Sequence, residues 1–237
     1  MNPFTSLAAA VEREEEMDAD SVSASVYEQV VGDLARINAL TLAARPTLAF
    51  FKRISRLRGA TGAPLRLLDV GFGHGDMLRR IAVVARRMGV AVELVGIDLN
   101  HRSEAAARAA TPPDLSIRYI TGDYRELAGQ GWDMIVSSLV AHHMSGGERL
   151  DFLRFMEAEA GRGWLVNDLH RQRLPFIGYP LLATLAMVHP IVRRDGQLSI
   201  ARSFRAGEWR AMLAEAGIAD AQVRRWFPYR LCVERSK

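Results

Sequence analysis

The 237-residue chain has a single cysteine, Cys232, so no intramolecular disulfide can hold the fold together. Its neighbours Leu231 and Val233 are apolar, which reads as a buried structural thiol and fits a reducing compartment. Excess charge of one sign is also small: the net value is +4, and the arginines fall in short pairs such as Arg79-Arg80 and Arg224-Arg225. Such pairs read as solvated helix faces and strand ends, and no nucleic-acid partner is expected. Internal repeats and low-complexity tracts are missing, which excludes solenoids and repeat arrays. Long uninterrupted apolar runs are missing too. The most apolar stretch, 174–192, is broken by Pro175, Pro180, His189 and Pro190. Its continuous piece, 181–188, is far shorter than the roughly twenty residues of a membrane span. Stable membrane insertion is therefore not expected, and peripheral contact is left open. Near the start, Glu12, Glu14, Glu15 and Glu16 are the opposite of the basic opening of a secretory leader, so the expected location is cytoplasmic.

What the chain does have is 49% hydrophobic content, enough for one sizeable domain with additions. It also has a stretch around which the rest is arranged, Leu67-Leu68-Asp69-Val70-Gly71-Phe72-Gly73-His74-Gly75-Asp76. An apolar run ends at a glycine-rich turn, and a helical pattern follows at Met77, Leu78, Ile81, Ala82, Val84 and Ala85. The spacing predicts a buried parallel strand, a tight turn and a helix packed back on the sheet. Glycine admits positive φ and leaves no Cβ between the main chain and a ligand. The helix start adds unpaired N–H groups at the same place. Asp69 and Asp76 flank the turn, and two carboxylates there repel a pyrophosphate but suit a ligand with an ammonium or sulfonium charge.

This D-x-G-x-G-x-G pattern resembles the first motif of the class I S-adenosylmethionine-dependent methyltransferases. The resemblance covers about two-thirds of the chain, 65–168 and again near the end. It implies a three-layer α/β sandwich with a seven-stranded, mostly parallel sheet in the order 3-2-1-4-5-7-6. It further implies that Asp69 and the backbone of Gly71, Phe72, Gly73 and Gly75 hold the amino-acid end of the cofactor. The second strand, 92–98, closes on Asp98, 23 positions after Gly75. That is near the roughly twenty-residue spacing at which an acid reaches a ribose diol, with Leu99 beside it. The third strand, 116–121, leads to Asp123 and Tyr124, which in the family face the adenine; turn formation alone also explains an acid there.

The fourth strand, 132–138, ends at Ser138 and leads into His142 and His143. Ligands lie at the carboxyl ends of parallel strands, so this loop should face the cofactor. No Pro-Pro-Tyr or Pro-Pro-Phe run follows, which argues against the enzymes that methylate DNA bases. Imidazole titrates near neutral pH, so His143, with His142 as the alternative, is the candidate proton acceptor. After the fifth strand come Asn167, Asp168, His170 and Arg171. Asp168 could orient a histidine of the previous loop, with His170 close by. Asn167 as a helix cap and Arg171 on the surface are the structural alternatives. A metal-dependent reading through Asn167 and Asp168 leaves an incomplete oxygen shell, because the fourth strand ends in Ser137-Ser138 instead of a carboxylate, so no resident metal is expected.

The remaining elements complete the expectation. Apolar periodicity over 22–57 predicts helices broken at Pro46, with a basic tail Lys52, Arg53, Arg56 and Arg58, then a linker at Thr61. Asp195-Gly196 reads as a turn, 206–216 as a helix closed by Gly217, and 221–234 as a terminal hairpin. The chain thus divides into an N-terminal helical cap, 1–62, and a cofactor-binding domain, 63–237, carrying an apolar lid at 171–195. The expected activity is methyl transfer from S-adenosylmethionine to a small hydrophobic acceptor, most simply a phenolic or other hydroxyl oxygen in polyketide, lipid or quinone tailoring. Carbon methylation of a quinone-type ring and a non-catalytic, S-adenosylmethionine-binding scaffold are the alternatives. The N-terminal helices either cover the active site or pair subunits as a homodimer.

Overall fold

A computed structural model describes residues 7–19, 21–57 and 62–237; Arg58 and Thr61 lie outside the described residues. The strands are β1 (Leu65–Val70), β2 (Val92–Asp98), β3 (Ile117–Thr121), β4 (Trp132–Ser138), β5 (Ala160–Leu169), β6 (Gln222–Trp226) and β7 (Arg230–Ser236). They form one sheet in the order β3-β2-β1-β4-β5-β7-β6, as the resemblance implied. β1 to β5 pair in parallel, and only β7, between β5 and β6, runs against its neighbours.

Alternation along each strand feeds two cores. Leu65 and Leu67 point to one face, where Phe50, Phe51, Leu78 and Ile81 cover them. Leu68 and Val70 point to the other, against Phe152, Trp164 and Trp209. Helices α2 (Arg45–Leu57), α3 (Asp76–Met88) and α4 (His101–Ala109) supply the first layer. Helices α5 (Gly146–Glu159) and α8 (Ala206–Glu215) supply the second. Cys232 is fully buried in the first core.

A third cluster joins α1 (Ala24–Leu40) to α6 (Arg173–Leu185) and α7 (Pro190–Arg202) through Val30, Ile37, Ile191 and Val192. It closes the carboxyl edge of the sheet. Asp33 on α1 accepts from the His189 N–H at 2.8 Å, and Tyr27 bonds Ser103 on α4 at 2.9 Å.

Two local expectations need correction. Pro46 does not break a helix. The break lies at 41–44, where Leu42 takes φ 55°, and Pro46 sits in the first turn of α2, where its missing N–H has no helical partner anyway. Asp195-Gly196 is not a turn but lies inside α7. A Cβ on Gly196 would stand 2.1 Å from the Tyr179 ring, so glycine is there for close packing of α6 on α7. Asp195 accepts from the N–H groups of Glu16 (3.0 Å) and Met17 (2.9 Å), tying the N-terminal segment to α7.

Candidate active site

A cavity of about 820 Å³ opens between the carboxyl ends of β1, β2 and β4 and the helices α1, α6 and α7. That is within the ~300–1,000 Å³ usual for small-molecule sites. One end is the glycine turn. Gly71, Gly73 and Gly75 have φ of 75°, 52° and 73°, all in the left-handed region. Two of them are needed for close approach: a Cβ on Gly71 would lie 2.2 Å from Val140, and on Gly75 2.5 Å from the Tyr119 hydroxyl. Gly73 differs. Nothing lies within 4 Å of its missing Cβ, so its face is open to the cavity.

Asp69 is fully buried beside this turn, and its Oδ1 has no hydrogen-bond partner. Burial first, then the charges of Asp76 and Asp98, push its carboxyl well above the usual range. A buried acid with one unpartnered oxygen, next to two more acids, fits the cationic amino-acid end of S-adenosylmethionine. Asp98 at the end of β2 accepts from Gly73 N–H at 2.8 Å through one oxygen and from Asn100 N–H at 2.9 Å through the other. It is thereby fixed at the cavity wall, with exposed Leu99 beside it. Carboxylate oxygens have further lone pairs for a ribose diol. Ser138 and Tyr124 also line the cavity, and Tyr124 packs edgewise on Phe152 and Phe155.

The side chains of Phe72 and Asp123 are each held by other contacts. The Phe72 ring turns into the core against Tyr119, 4.9 Å between centroids, leaving only its main chain at the turn. The Asp123 side chain caps the short helical turn Tyr124–Leu127, accepting from Arg125 N–H at 2.9 Å, and is not among the cavity-lining residues. The turn-forming alternative describes it.

At the other end of the cavity lies a buried polar cluster. β4 exits through Leu139, held at φ 63°, a strained value for a non-glycine residue of the kind that gathers at functional sites. This places Val140 over Gly71 and His142 and His143 in the cavity wall. His142 Nδ1 lies 2.7 Å from Asp168 Oδ1, and the His142 N–H donates to Asp168 Oδ2 at 3.1 Å. The other ring nitrogen faces a residue the sequence reading passed over. Glu15 Oε1 lies 3.6 Å from His142 Nε2 and 3.7 Å from His143 Nε2, and accepts from Ser199 Oγ at 2.6 Å.

Burial pulls the His142 pKa down, but Asp168 and Glu15 outweigh it and hold the imidazole at about 9. Burial likewise raises Glu15, yet His142, His143 and Ser199 bring it to about 2. Asp168 is raised by burial and, on balance, lowered by His142 and by the Leu169 N–H. His142 is thus an imidazolium between two carboxylates. Glu15 Oε1 and the Nε2 atoms of His142 and His143 fall within 4.8 Å of one another, so the three could also hold a divalent cation.

The polar run at the end of β5 and just beyond it is divided by the fold. Asp168 reaches the site. Asn167 donates to Ala43 O (2.8 Å) and Thr47 Oγ1 (3.0 Å), tying the α1–α2 corner to the sheet instead of capping a helix. Arg171 is buried, not surface-exposed, and binds Ser203 O and Glu208. His170 bonds Gln172 at 2.8 Å and is not among the cavity-lining residues, so its expected place in the site needs correction. Strand alternation explains this: Asp168 and His170 flank Leu169, the one of the three that lines the cavity, and Asp168 enters the site only because His142 reaches back to it.

Residues 67–158 match a family model described as a methyltransferase domain. A search of curated protein sequences finds no match. Among solved structures, the plantazolicin methyltransferase BpumL, in complex with a triazolic desmethylPZN analog and S-adenosylhomocysteine, is similar with a TM-score of 0.64 at 14% identity, over 90% of this chain and 96% of that one. Magnesium protoporphyrin IX methyltransferase (ChlM) from Synechocystis PCC 6803, with bound S-adenosylmethionine, gives 0.54 at 14% identity, over 94% and 88%. A Nostoc punctiforme PCC 73102 protein with a provisional O-methyltransferase name gives 0.62 at 17% identity, over 100% and 68%. At these identities the likeness speaks to the fold. The matched segment is the one that builds the glycine turn, the acid after β2 and the histidine loop, so this part of the chain matches a methyltransferase domain, set in a sheet of class I strand order.

Proposed function

We propose that this enzyme methylates a hydroxyl oxygen, phenolic by preference, on a small hydrophobic acceptor of polyketide, lipid or quinone type. The observation that carries the reading is the shared cavity: an open cofactor cradle at one end, and at the other the buried Glu15–His142–Asp168 cluster with His143 beside it. Bound S-adenosylmethionine supplies an electrophilic methyl group on a sulfonium centre. The protein's own tasks are then to align the acceptor and take its proton.

His143 is the residue for the second task. His142 holds protons toward two carboxylates and cannot accept another. Its positive charge instead lowers the cost of forming an oxyanion nearby. Glu15 and Asp168 are positioning residues that keep this cation in place. The walls suit an apolar acceptor: Val31, Leu34, Leu169, Leu174 and Leu182 line the acceptor half. We read 1–62 as a cap and 171–195 as a lid over that half, in a cytoplasmic protein; no helix among the described residues is long and apolar enough to cross a membrane.

The test is product identity. Incubation with methyl-labelled S-adenosylmethionine and a panel of long-chain phenols, alcohols and quinones should give a product whose labelled carbon has the chemical shift of a methoxy group. A label on a ring carbon would transfer the reading to carbon methylation, and no transfer to any panel member would leave the scaffold alternative in front.

A further inference from the structure

The lid has an outer face that the methyl-transfer reading does not use. On α6, Leu174, Ile177, Leu181 and Leu185 follow the three- and four-residue spacing of one helix face. They are exposed, from 56% at Ile177 to 72% at Leu185, and Met187 just beyond the helix is 84% exposed. The opposite side of the helix is satisfied: Ala183 is buried and the Tyr179 hydroxyl donates to Val192 O at 2.9 Å. The stripe is continuous with the opening of the cavity. Leu174 both lines the cavity and is exposed, and the same holds for Leu40 at the end of α1, Leu42 just after it and Phe227 before β7. Apolar side chains from three separate elements therefore surround one entrance. A contiguous apolar patch of this kind marks an interaction surface.

Charge decides what covers it. Residues 169–194 contain no Asp or Glu. Exposed Arg173 opens α6. At the far end Arg193 reaches Thr184 Oγ1 (3.4 Å) and Arg36, itself paired with Asp33, reaches Ala186 O (3.1 Å). The apolar face is fringed by cations at both ends. Two copies meeting through this face would oppose arginines to arginines, whereas an anionic bilayer offers acyl chains to the leucines and phosphates to the fringe.

We propose that α6 docks the protein on the surface of an anionic lipid bilayer, with the cavity entrance facing the membrane so that a lipophilic acceptor enters without crossing water. The purpose rests on the hydrophobic-acceptor reading above; the docking does not, and is measured without any acceptor. The full chain with S-adenosylhomocysteine should float with vesicles of equal parts phosphatidylcholine and phosphatidylglycerol, and much less with phosphatidylcholine alone. Leu181→Asp with Leu185→Asp should weaken vesicle binding by about tenfold or more while cofactor affinity is unchanged, since neither side chain lines the cavity. Arg173→Glu with Arg193→Glu should remove the preference for the anionic lipid. Absence of flotation with cofactor binding intact overturns the proposal, as does equal binding to both vesicle types. A concentration-dependent dimer that the leucine variants dissociate, without vesicle binding, assigns the face to a second copy instead.

Discussion

The two ends of the cavity are built from the chain in opposite ways. At the cofactor end, Asp69, the three glycines and Asp98 fall within thirty consecutive residues, on two adjacent strands and the turn between them. At the acceptor end, Glu15, His142, Asp168 and Ser199 come from four elements, and Glu15 lies 184 positions from the serine that holds it. Their electrostatics differ in the same sense. Asp69 Oδ1 is buried without a hydrogen-bond partner beside two further acids, while Glu15 and Asp168 already share the His142 imidazolium between them. A site that takes a charged cofactor keeps an unmet charge. A site that takes an apolar acceptor is internally balanced, because an uncompensated buried charge costs several kcal/mol.

The largest effect should come from Gly73→Val at the unmet end. The side chain would enter the open cradle from a φ of 52°, so calorimetry should show S-adenosylhomocysteine binding abolished, with the thermal transition lowered by the strain of about 1–3 kcal/mol that a β-branched residue meets at that φ. Gly71→Ala should instead damage the fold, because its Cβ meets Val140 at 2.2 Å. Normal cofactor binding by Gly73→Val would place the cofactor somewhere other than this turn.

At the balanced end, the two histidines should separate. His143→Ala should lower kcat by ~10²–10⁴ with cofactor affinity and stability nearly unchanged, the range typical of a lost general base. His142→Ala should show up first as instability, about 3–5 kcal/mol, since it leaves Glu15 and Asp168 buried and uncompensated. The pH dependence has a definite sign. The His142 pKa is raised from 6.5 to about 9, so its stabilisation is full below 6.5 and fades as pH rises through 9. Glu15 is lowered from 4.5 to about 2, so its share is present above 4.5 and lost as pH falls toward 2. The stability gap between wild type and His142→Gln, measured by denaturant titration, should therefore be widest between these limits and narrow above pH 9. Equal gaps at pH 6 and pH 10 would break the ion-pair account.

This contrast also explains what could be read from the sequence. The strands, the turn and Asp98 were legible because strand periodicity, glycine spacing and a terminal acid are all local signals, and the sheet order followed from the family resemblance that those signals carry. Asp168 and a histidine from the β4 loop were legible as a pair, since β4 and β5 are adjacent. Glu15 was not: it is one acid in a run of acids, and only the bonds from Glu16 and Met17 to Asp195 bring it inside. Asp195-Gly196 misled because a turn dipeptide was recruited for helix packing. His170 misled because proximity in sequence was taken for proximity in space. His170→Ala should accordingly leave turnover within about twofold of wild type, well below the loss expected of a base. A loss matching that of His143→Ala would return it to the site.

The smallest expected effect tests the balance itself. Glu15, His142 and His143 are spaced so that a divalent cation could in principle sit among them. Such an ion needs the lone pair of His142 Nε2, and therefore needs the proton that Glu15 and Asp168 together hold there. At neutral pH that exchange is opposed, and both carboxylates are already paired with the imidazolium without metal. Dialysis against a strong chelator should leave turnover and thermal stability unchanged, and added zinc should inhibit by competing for His143. If chelation instead abolishes turnover and zinc restores it, with the metal retained by wild type and lost from Glu15→Gln in elemental analysis, the acceptor end resembles the cofactor end after all: both would hold unmet charge, and the acceptor hydroxyl would be activated by an ion instead of a base.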